Sequence, residues 1–248
     1  MAEGVTDTST GMNYPLSKQK LIGARSVMRT LLVRMCKEIV YRTPFRRYFF
    51  PFFGYDMTAA QLCLLCRWIE QTKNVAGNVV EVGCSTGMTT TFLNKYMDAQ
   101  GIDKSYLAVD TFSGFVDEDI EYEVRHRGKR ASYYTGFRTN KQTWFDGTMR
   151  LNGIQRVRSI AADVNQFDLS RLGLISFCLL DVDLYRPIKA ALPRILSQLS
   201  VGGIVAVDDC DATNIRYDGA DQAYKEFCAE ISYPEQIIAG LGVIEKRG

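Results

Sequence analysis

Two apolar runs in this chain end in aspartates. Phe177-Cys-Leu-Leu180 leads into Asp181-Val-Asp-Leu-Tyr185, and Ile204-Val-Ala-Val207 leads into the vicinal pair Asp208-Asp209. A short apolar run bounded in this way reads as a strand buried on both faces, as in a parallel sheet. Open α/β sheets bind ligands beyond the carboxyl ends of their strands. The 27 residues from Asp181 to Asp208 fit one helical crossover, so adjacent strands can present both strings at one rim. Three carboxylates converging there suit a hard divalent cation such as Mg²⁺, which takes oxygen ligands.

The rest of the sequence fits this frame. From Gly77 onward, short apolar strands alternate with helical stretches. Strands are expected at 78–82, 106–109, 157–161, 177–180 and 204–207, with short final strands at 236–238 and 242–244. Helices are expected at 58–71, 88–99, 187–199 and 220–231. Thr58 is positioned as an N-cap, Pro187 suits a first helical turn, and Gly202-Gly203 is expected to stop the chain before the strand at 204. The alternation predicts a Rossmann-like, doubly wound α/β fold, with a mostly parallel sheet of about seven strands and helices on both faces. The segment 116–152 breaks the rhythm. It is polar and rich in aromatic and basic residues, and a long connection at the ligand rim is expected to be a lid or a solvated insertion with helical pieces.

Charge is unevenly distributed. Residues 1–47 carry nine Lys/Arg against three Asp/Glu, whereas residues 48–248 carry twenty-one against twenty-five. Leu21, Met28, Leu32, Met35 and Ile39 recur at helical spacing among Arg25, Arg29, Arg34 and Lys37. Residues 1–57 are therefore expected to form a basic amphipathic helical extension to a domain at 58–248. Its primary reading is a surface that packs on the core or on a second subunit, giving a homo-oligomer. Contact with anionic lipid or a phosphorylated substrate through residues 18–47 ranks below that. No stretch reaches the roughly 18 apolar residues of a membrane span. The seven cysteines are scattered, and Cys63-Leu-Leu-Cys66 reads as two buried thiols one turn apart. The expected setting is reducing and cytoplasmic.

A second constellation lies upstream. Glu81-Val-Gly-Cys-Ser-Thr-Gly87 closes the first strand and opens a helix. Gly83 permits a tight turn, and the helix start offers free N–H groups. The string is neither Gly-x-Gly-x-x-Gly nor a P-loop, which argues against a dinucleotide oxidoreductase or an NTPase. Asp110 ends the next strand, where an acid can accept from both hydroxyls of a ribose. Asp163 follows the third strand, where it could read an exocyclic adenine amine. Acids at three successive strand ends around a glycine loop describe a nucleoside pocket.

Glu81 to Gly87, Asp110-Thr-Phe-Ser-Gly-Phe115, Asp181-Val-Asp-Leu-Tyr185 and Gly202-Gly-Ile-Val-Ala-Val-Asp-Asp209 together resemble class I S-adenosylmethionine-dependent methyltransferases. Within that class the chain looks most like the macrocin O-methyltransferase group, which methylates sugar hydroxyls of glycosides. The resemblance runs from about Thr58 to Lys246. It implies that Glu81, Gly83, Cys84 and Ser85 hold the methionine end of the cofactor. Asp110 would hold the ribose, with Thr111, Ser113 and Gly114 along that edge, and Asp163 would face the adenine. Asp181, Asp208 and Asp209 would bind Mg²⁺, and Asp181 would also serve as the base. Asp183 and the chain's one histidine, His126, stand as alternatives for that base. Tyr185 is expected to pack beneath the site.

The expected function is a Mg²⁺-dependent transfer of a methyl group from S-adenosylmethionine to an acceptor with neighbouring hydroxyls, a sugar hydroxyl of a glycoside or glycan. A phenolic acceptor is the alternative. Catechol methyltransferases of similar metal arrangement place a lysine shortly after the first Asp, where this chain reads Val182-Asp183-Leu184. No nucleic-acid partner is expected, because the charge beyond residue 47 is negative and opposes phosphate binding.

Overall fold

The computed structural model describes residues 16–50 and 53–248, with side chains from residue 26 onward. The start and residues 51 and 52 of the extension expected at 1–57, and the side chains of Leu21 and Arg25, lie outside the described residues. The chain divides into two compact units, Met1–Gly54 and Tyr55–Gly248.

In the first unit, helix α1 spans Leu16–Tyr41. It stops two residues before Pro44, which the extended backbone of Thr43 makes the first residue of a 3-10 turn at Pro44–Tyr48. Tyr41 meets Phe50 edge to face, with ring centroids 5.1 Å apart. Met28, Leu32, Met35 and Ile39 fall on α1 as expected, and each is more than half exposed. No helix among the described residues is long and apolar enough to cross a membrane.

The second unit is a seven-stranded sheet. Its strands are β1 (Asn78–Val82), β2 (Tyr106–Asp110), β3 (Val157–Ala161), β4 (Ile175–Leu180), β5 (Leu199–Val207), β6 (Ile237–Ile238) and β7 (Leu241–Glu245), in the order β3-β2-β1-β4-β5-β7-β6. The first five run parallel. β7 is antiparallel to both β5 and β6. Strand order reverses between β1 and β4, which is where such sheets open a ligand crevice.

Successive residues of the central strands feed two cores. Cys178 and Leu180 of β4 pack with α6 (Tyr185–Gln198) and α7 (Asp218–Glu230) on one face. Phe177 and Leu179 pack with α2 (Ala59–Gln71) and α3 (Met88–Ala99) on the other. All six residues of β4 are buried, as the unbroken apolar run implies.

Three local expectations need correction. β5 does not start after Gly202-Gly203 but runs through them from Leu199, with an irregular register against β4. Gly203 makes this possible, since a Cβ there would sit 2.8 Å from the Ser200 carbonyl and 3.0 Å from that of Ser176. Cys66 is buried but Cys63 is exposed, because i and i+3 lie on α2 with its buried stripe offset to Cys66. The segment 116–152 is mostly helical. It holds α4 (Asp117–Arg127), a 3-10 turn at Ala131–Tyr134 and α5 (Gln142–Leu151). Phe145 and Met149 of α5 are buried in the sheet's core, so its last part is scaffold.

One buried carboxylate ties this segment to both helices that follow the acidic strings. Glu123 of α4 is almost fully buried. Its Oε1 accepts from the Tyr185 N–H at the start of α6 (2.8 Å), and its Oε2 accepts from Arg127 Nε (2.8 Å). Arg127 also donates to Asp218 at the start of α7 (2.6 Å), as does Lys129 (2.7 Å). Removing one partner of a buried pair strands the other's charge. Glu123→Ala is therefore expected to lower unfolding free energy by about 3 kcal/mol. Urea unfolding followed by circular dichroism measures it, and Glu121→Ala, whose pairing with Arg125 is exposed, is the control expected to stay within about 0.5 kcal/mol.

Candidate active site

The carboxyl ends of β1, β4 and β5 lie side by side. Val82 pairs with Leu180, and Leu180 pairs with Val207. The ladder continues one step, with Asp181 N–H donating to the Val82 carbonyl (2.8 Å) and Asp208 N–H to that of Leu180 (3.0 Å). Gly83, Asp181 and Asp208 thus stand abreast where the strands end. The approach at Gly83 is close enough to exclude any side chain, since a Cβ would lie 1.7 Å from the Asp181 carbonyl oxygen, and its φ is +88°.

A cleft of 410 Å³ opens over this rim, a volume ordinary for a small-molecule site. Glu81, Gly83, Cys84, Ser85, Asp110, Thr111, Gly114, Asp163, Asp181, Asp183, Asp208 and Asp209 all line it. Of the expected cofactor contacts only Ser113 does not. Its N–H turns back to Thr111 Oγ1 (3.3 Å), and the residue faces solvent.

In the first arm of the cleft, Glu81 is fully buried. Its Oε2 accepts from Thr90 Oγ1 and from the Tyr106 hydroxyl, both at 2.6 Å. Burial nevertheless pushes its carboxyl up to about 7, because the two hydrogen bonds only partly offset desolvation. Asp110 holds the glycine turn in shape. Its Oδ2 accepts from the N–H groups of Cys84 (2.9 Å) and Ser85 (2.8 Å), and its Oδ1 from that of Phe112 (2.7 Å). Asp163 accepts from Asn165, whose amide also donates to Asp119 of α4 (2.9 Å). Asn140, from the connection before α5, donates to the Ser85 carbonyl (2.7 Å).

The second arm gathers the aspartates. Oxygens of Asp181, Asp183 and Asp209 lie within 4.8 Å of one another. Asp183 occupies the left-handed region (φ +60°), and a 2.6 Å bond from the Leu184 N–H to the Val182 carbonyl closes a three-residue turn around it. Asp209 is also left-handed (φ +55°), and its Oδ1 accepts from Asn214 (3.0 Å). Asp208 Oδ1 accepts from Gln61 (3.0 Å), whose Oε1 simultaneously accepts the Thr58 N–H in the capping box of α2. Burial drives Asp181 and Asp183 well above the usual carboxylate range, helped for Asp181 first by the charge of Asp208 and for Asp183 by Asp209, and burial pushes Asp208 up to about 7. Four carboxylates crowd here, and the charge of Arg216 on Asp183 and Asp209 offsets them only in part; a divalent cation relieves the rest, so the residues fit Mg²⁺.

His126, an alternative for the base, and Tyr185, expected beneath the site, both fall outside the cleft lining. His126 stacks on Tyr122 (4.5 Å), and Tyr122 stacks in turn on Tyr185 (5.5 Å). Tyr185 donates to Glu226 (2.7 Å). Neither lines the cavity. Phe115, Asp119, Phe137, Asn140, Asn214 and Tyr217 do line it and were not anticipated from sequence.

A sheet of this order, a glycine turn braced by Asp110 and an acidic cluster at the next strand ends make up one architecture. The family description "Macrocin-O-methyltransferase (TylF)" matches residues 46–244. The chain belongs to the macrocin O-methyltransferase family. It is an O-methyltransferase. Solved structures agree in fold. The O-methyltransferase NovP superposes with a TM-score of 0.64 at 18% identity, covering 76% of this chain and 80% of that one. Calicheamicin methyltransferase CalS11 gives 0.61 at 18% identity, covering 99% and 98%. The O-methyltransferase TomG from Streptomyces achromogenes, solved in complex with SAM, gives 0.51 at 14% identity, covering 82% and 86%. No functionally curated protein sequence matches the chain.

In this family member Glu81 makes a pH-dependent demand on stability. Burial pushes its carboxyl up to about 7, above the 4.5 of a free glutamate, so the native state binds the proton more tightly than the unfolded chain. Stability from this group is therefore full below pH 4.5 and declines as pH rises towards 7. Glu81→Gln removes the ionisation while leaving an oxygen for Thr90 and Tyr106. Its stability relative to wild type is expected to rise between pH 4.5 and 7 and then level off, as read from urea midpoints across pH.

Proposed function

We propose that this enzyme transfers a methyl group from S-adenosylmethionine to one of two neighbouring hydroxyls of a sugar, with Mg²⁺ bound beside the acceptor. The observation that carries the reading is the position of Asp181. Its charge neighbours include Glu81 of the first arm and Asp183, Asp208 and Asp209 of the second. A cofactor along one arm and an acceptor along the other would meet at Asp181.

In this reading Glu81 accepts from the ammonium of the methionine moiety, and Asp110 accepts from the ribose hydroxyls with oxygens whose orientation the turn already fixes. Asp163 faces the adenine. Asp181, Asp183 and Asp209, whose oxygens lie together, hold the metal, and Asp208, expected from the sequence as a ligand but outside that trio and bound to Gln61, adds its charge beside them. When bound, S-adenosylmethionine supplies an electrophilic sulfonium methyl and Mg²⁺ supplies Lewis acidity that lowers a hydroxyl's pKa. Asp181 would accept the proton that the acceptor hydroxyl gives up on methylation. Asn214 and Gln61 keep Asp209 and Asp208 oriented, and alignment of the reacting groups can lower the barrier by roughly 7–11 kcal/mol. The family description names a macrocin O-methyltransferase, CalS11 is described as a TDP-rhamnose 3'-O-methyltransferase, and TomG was solved with SAM, all consistent with this assignment. The homo-oligomeric state, the use of α1 as its packing surface and a cytoplasmic location belong to the same proposal.

Calorimetry with S-adenosylmethionine tests the first arm. Glu81→Gln and Asp110→Asn are each expected to weaken binding by about 10- to 100-fold, since hydrogen bonds to charged groups contribute about 1.5–3 kcal/mol. Unchanged affinity in both would overturn the assignment. In the second arm, Asp209→Asn should lower Mg²⁺ affinity, read by titration with Mn²⁺ as a paramagnetic substitute. If the double replacement of Asp208 and Asp209 by Ala leaves turnover intact, the metal has no part in the reaction.

A further inference from the structure

Asp119 stands in the first turn of α4 and lines the cleft together with Asp163. It is a carboxylate only 3% exposed. Its Oδ2 accepts from Asn165 Nδ2 (2.9 Å), and the same Nδ2 lies 3.0 Å from Asp163 Oδ1. One amide nitrogen, with two hydrogens to give, thus holds two carboxylates side by side. Asp163 Oδ1 also accepts the Asn165 N–H (2.9 Å), so that oxygen is filled. Asp163 Oδ2 and Asp119 Oδ1 accept no hydrogen bond among the described residues. Asp119 Oδ1 is also fully buried, an unmet acceptor of a kind that folded proteins rarely leave.

The surroundings fix this pair in place. Arg186, the second residue of α6, pairs with Asp119 Oδ1 at 3.2 Å without the alignment of a hydrogen bond. One turn further along α4, Glu123 holds the Tyr185 N–H, so α4 is registered against the start of α6 at two points. Arg194, further along α6, donates to the Val164 carbonyl (2.9 Å) and to that of Phe167, and so holds the loop that carries Asp163. Burial raises the Asp119 carboxyl and the Asp163 charge adds to it, against the lowering by Asn165 and Arg186. Val116, Val164 and Pro187 line the cleft as well, and they neighbour Asp119, Asp163 and Arg186 along the chain. Two acceptors at the edge of an apolar slot suit the rim of a flat ring that bears an amino group. Such a group has two N–H donors, one for each acceptor. A 6-oxo group in its place would turn an oxygen towards two carboxylates and leave both unmet.

Resting on the adenine position proposed above, we infer that Asp119 is a second reader of the adenine amine, taking the N–H that Asp163 does not, and that it sets the preference of this enzyme for adenine over a 6-oxo purine in its cofactor. Asp119 comes from the insertion at 116–152 and Asp163 from the end of β3, so the base is read from two elements at once. The insertion therefore selects the cofactor, in addition to walling the cleft.

Calorimetry of the full chain with S-adenosylhomocysteine and S-inosylhomocysteine reads the preference. Wild type is expected to bind the adenine form about 100-fold more tightly, a factor of about ten for each hydrogen bond to a carboxylate. Asp119→Asn keeps the shape of the side chain but can turn its amide towards the 6-oxo group. It should weaken S-adenosylhomocysteine about 10-fold and strengthen S-inosylhomocysteine, so the ratio falls by more than the first effect alone. A merely structural role for Asp119 would weaken both ligands alike, and an unchanged ratio would overturn the inference. Glu118→Gln, exposed beside it, should keep the wild-type ratio. An equal fall there would also overturn the inference, since distant charge and not contact would then discriminate. Wild type gives a second reading that needs no variant. N6-methyl-S-adenosylhomocysteine, with one N–H left, is expected to bind about 10-fold more weakly than its parent. Equal affinity would overturn the inference, because one hydrogen would then go unread. In each of these cases S-adenosylhomocysteine still binds and the cofactor assignment stands. If S-adenosylhomocysteine does not bind wild type, the cofactor assignment falls and this inference falls with it.

Discussion

A contact between two stretches of backbone, Gly83 against the Asp181 carbonyl, is the constraint on which the site depends. It places the cofactor turn after β1 directly beside the acidic string after β4. Any side chain at position 83 would force those strand ends apart. The two arms of the cleft would then lose their common junction at Asp181, however well each was built. The parallel register of β1, β4 and β5 does the rest, because it brings three strand ends to one level.

The same contact concentrates like charge. Glu81, Asp181, Asp183 and Asp208 are all raised by burial, and the aspartates further raise one another. The empty cleft is therefore costly to ionise, and ligands that carry positive charge recover that cost on binding. Under the proposed function, affinity for a sulfonium cofactor and a divalent cation would come partly from relieving a strain already present in the protein, in addition to the contacts each ligand makes.

The sheet was legible because its strands are continuous apolar runs ended by acids, a pattern that marks both strand type and ligand rim. Glu81, Asp110, Asp163 and the four aspartates of the second arm were legible for the same reason, each standing at a strand end. What escaped was anything set by tertiary approach. Gln61 reads as a helix-capping residue, and only the fold shows the other end of its amide on Asp208. Asp119 and Asn140 lie in a segment with no clear period, so nothing local announces that one reaches Asn165 and the other Ser85. Ser113 was misplaced because a motif gives sequence neighbours and not directions. β5 was started late because paired glycines usually end a strand, whereas here they let it cross closely packed carbonyls.

Ser85, Phe112, Asp183 and Asp209 are four of the six non-glycine residues described with left-handed backbone, and all four belong to the turns that shape the cleft. Such conformations cost on the order of 1–3 kcal/mol each and persist only where surroundings enforce them. An engineer seeking a hardier enzyme by routine backbone optimisation would be drawn first to these four turns. They are the positions to leave alone, because the stability gained there would come from relaxing the geometry on which turnover depends.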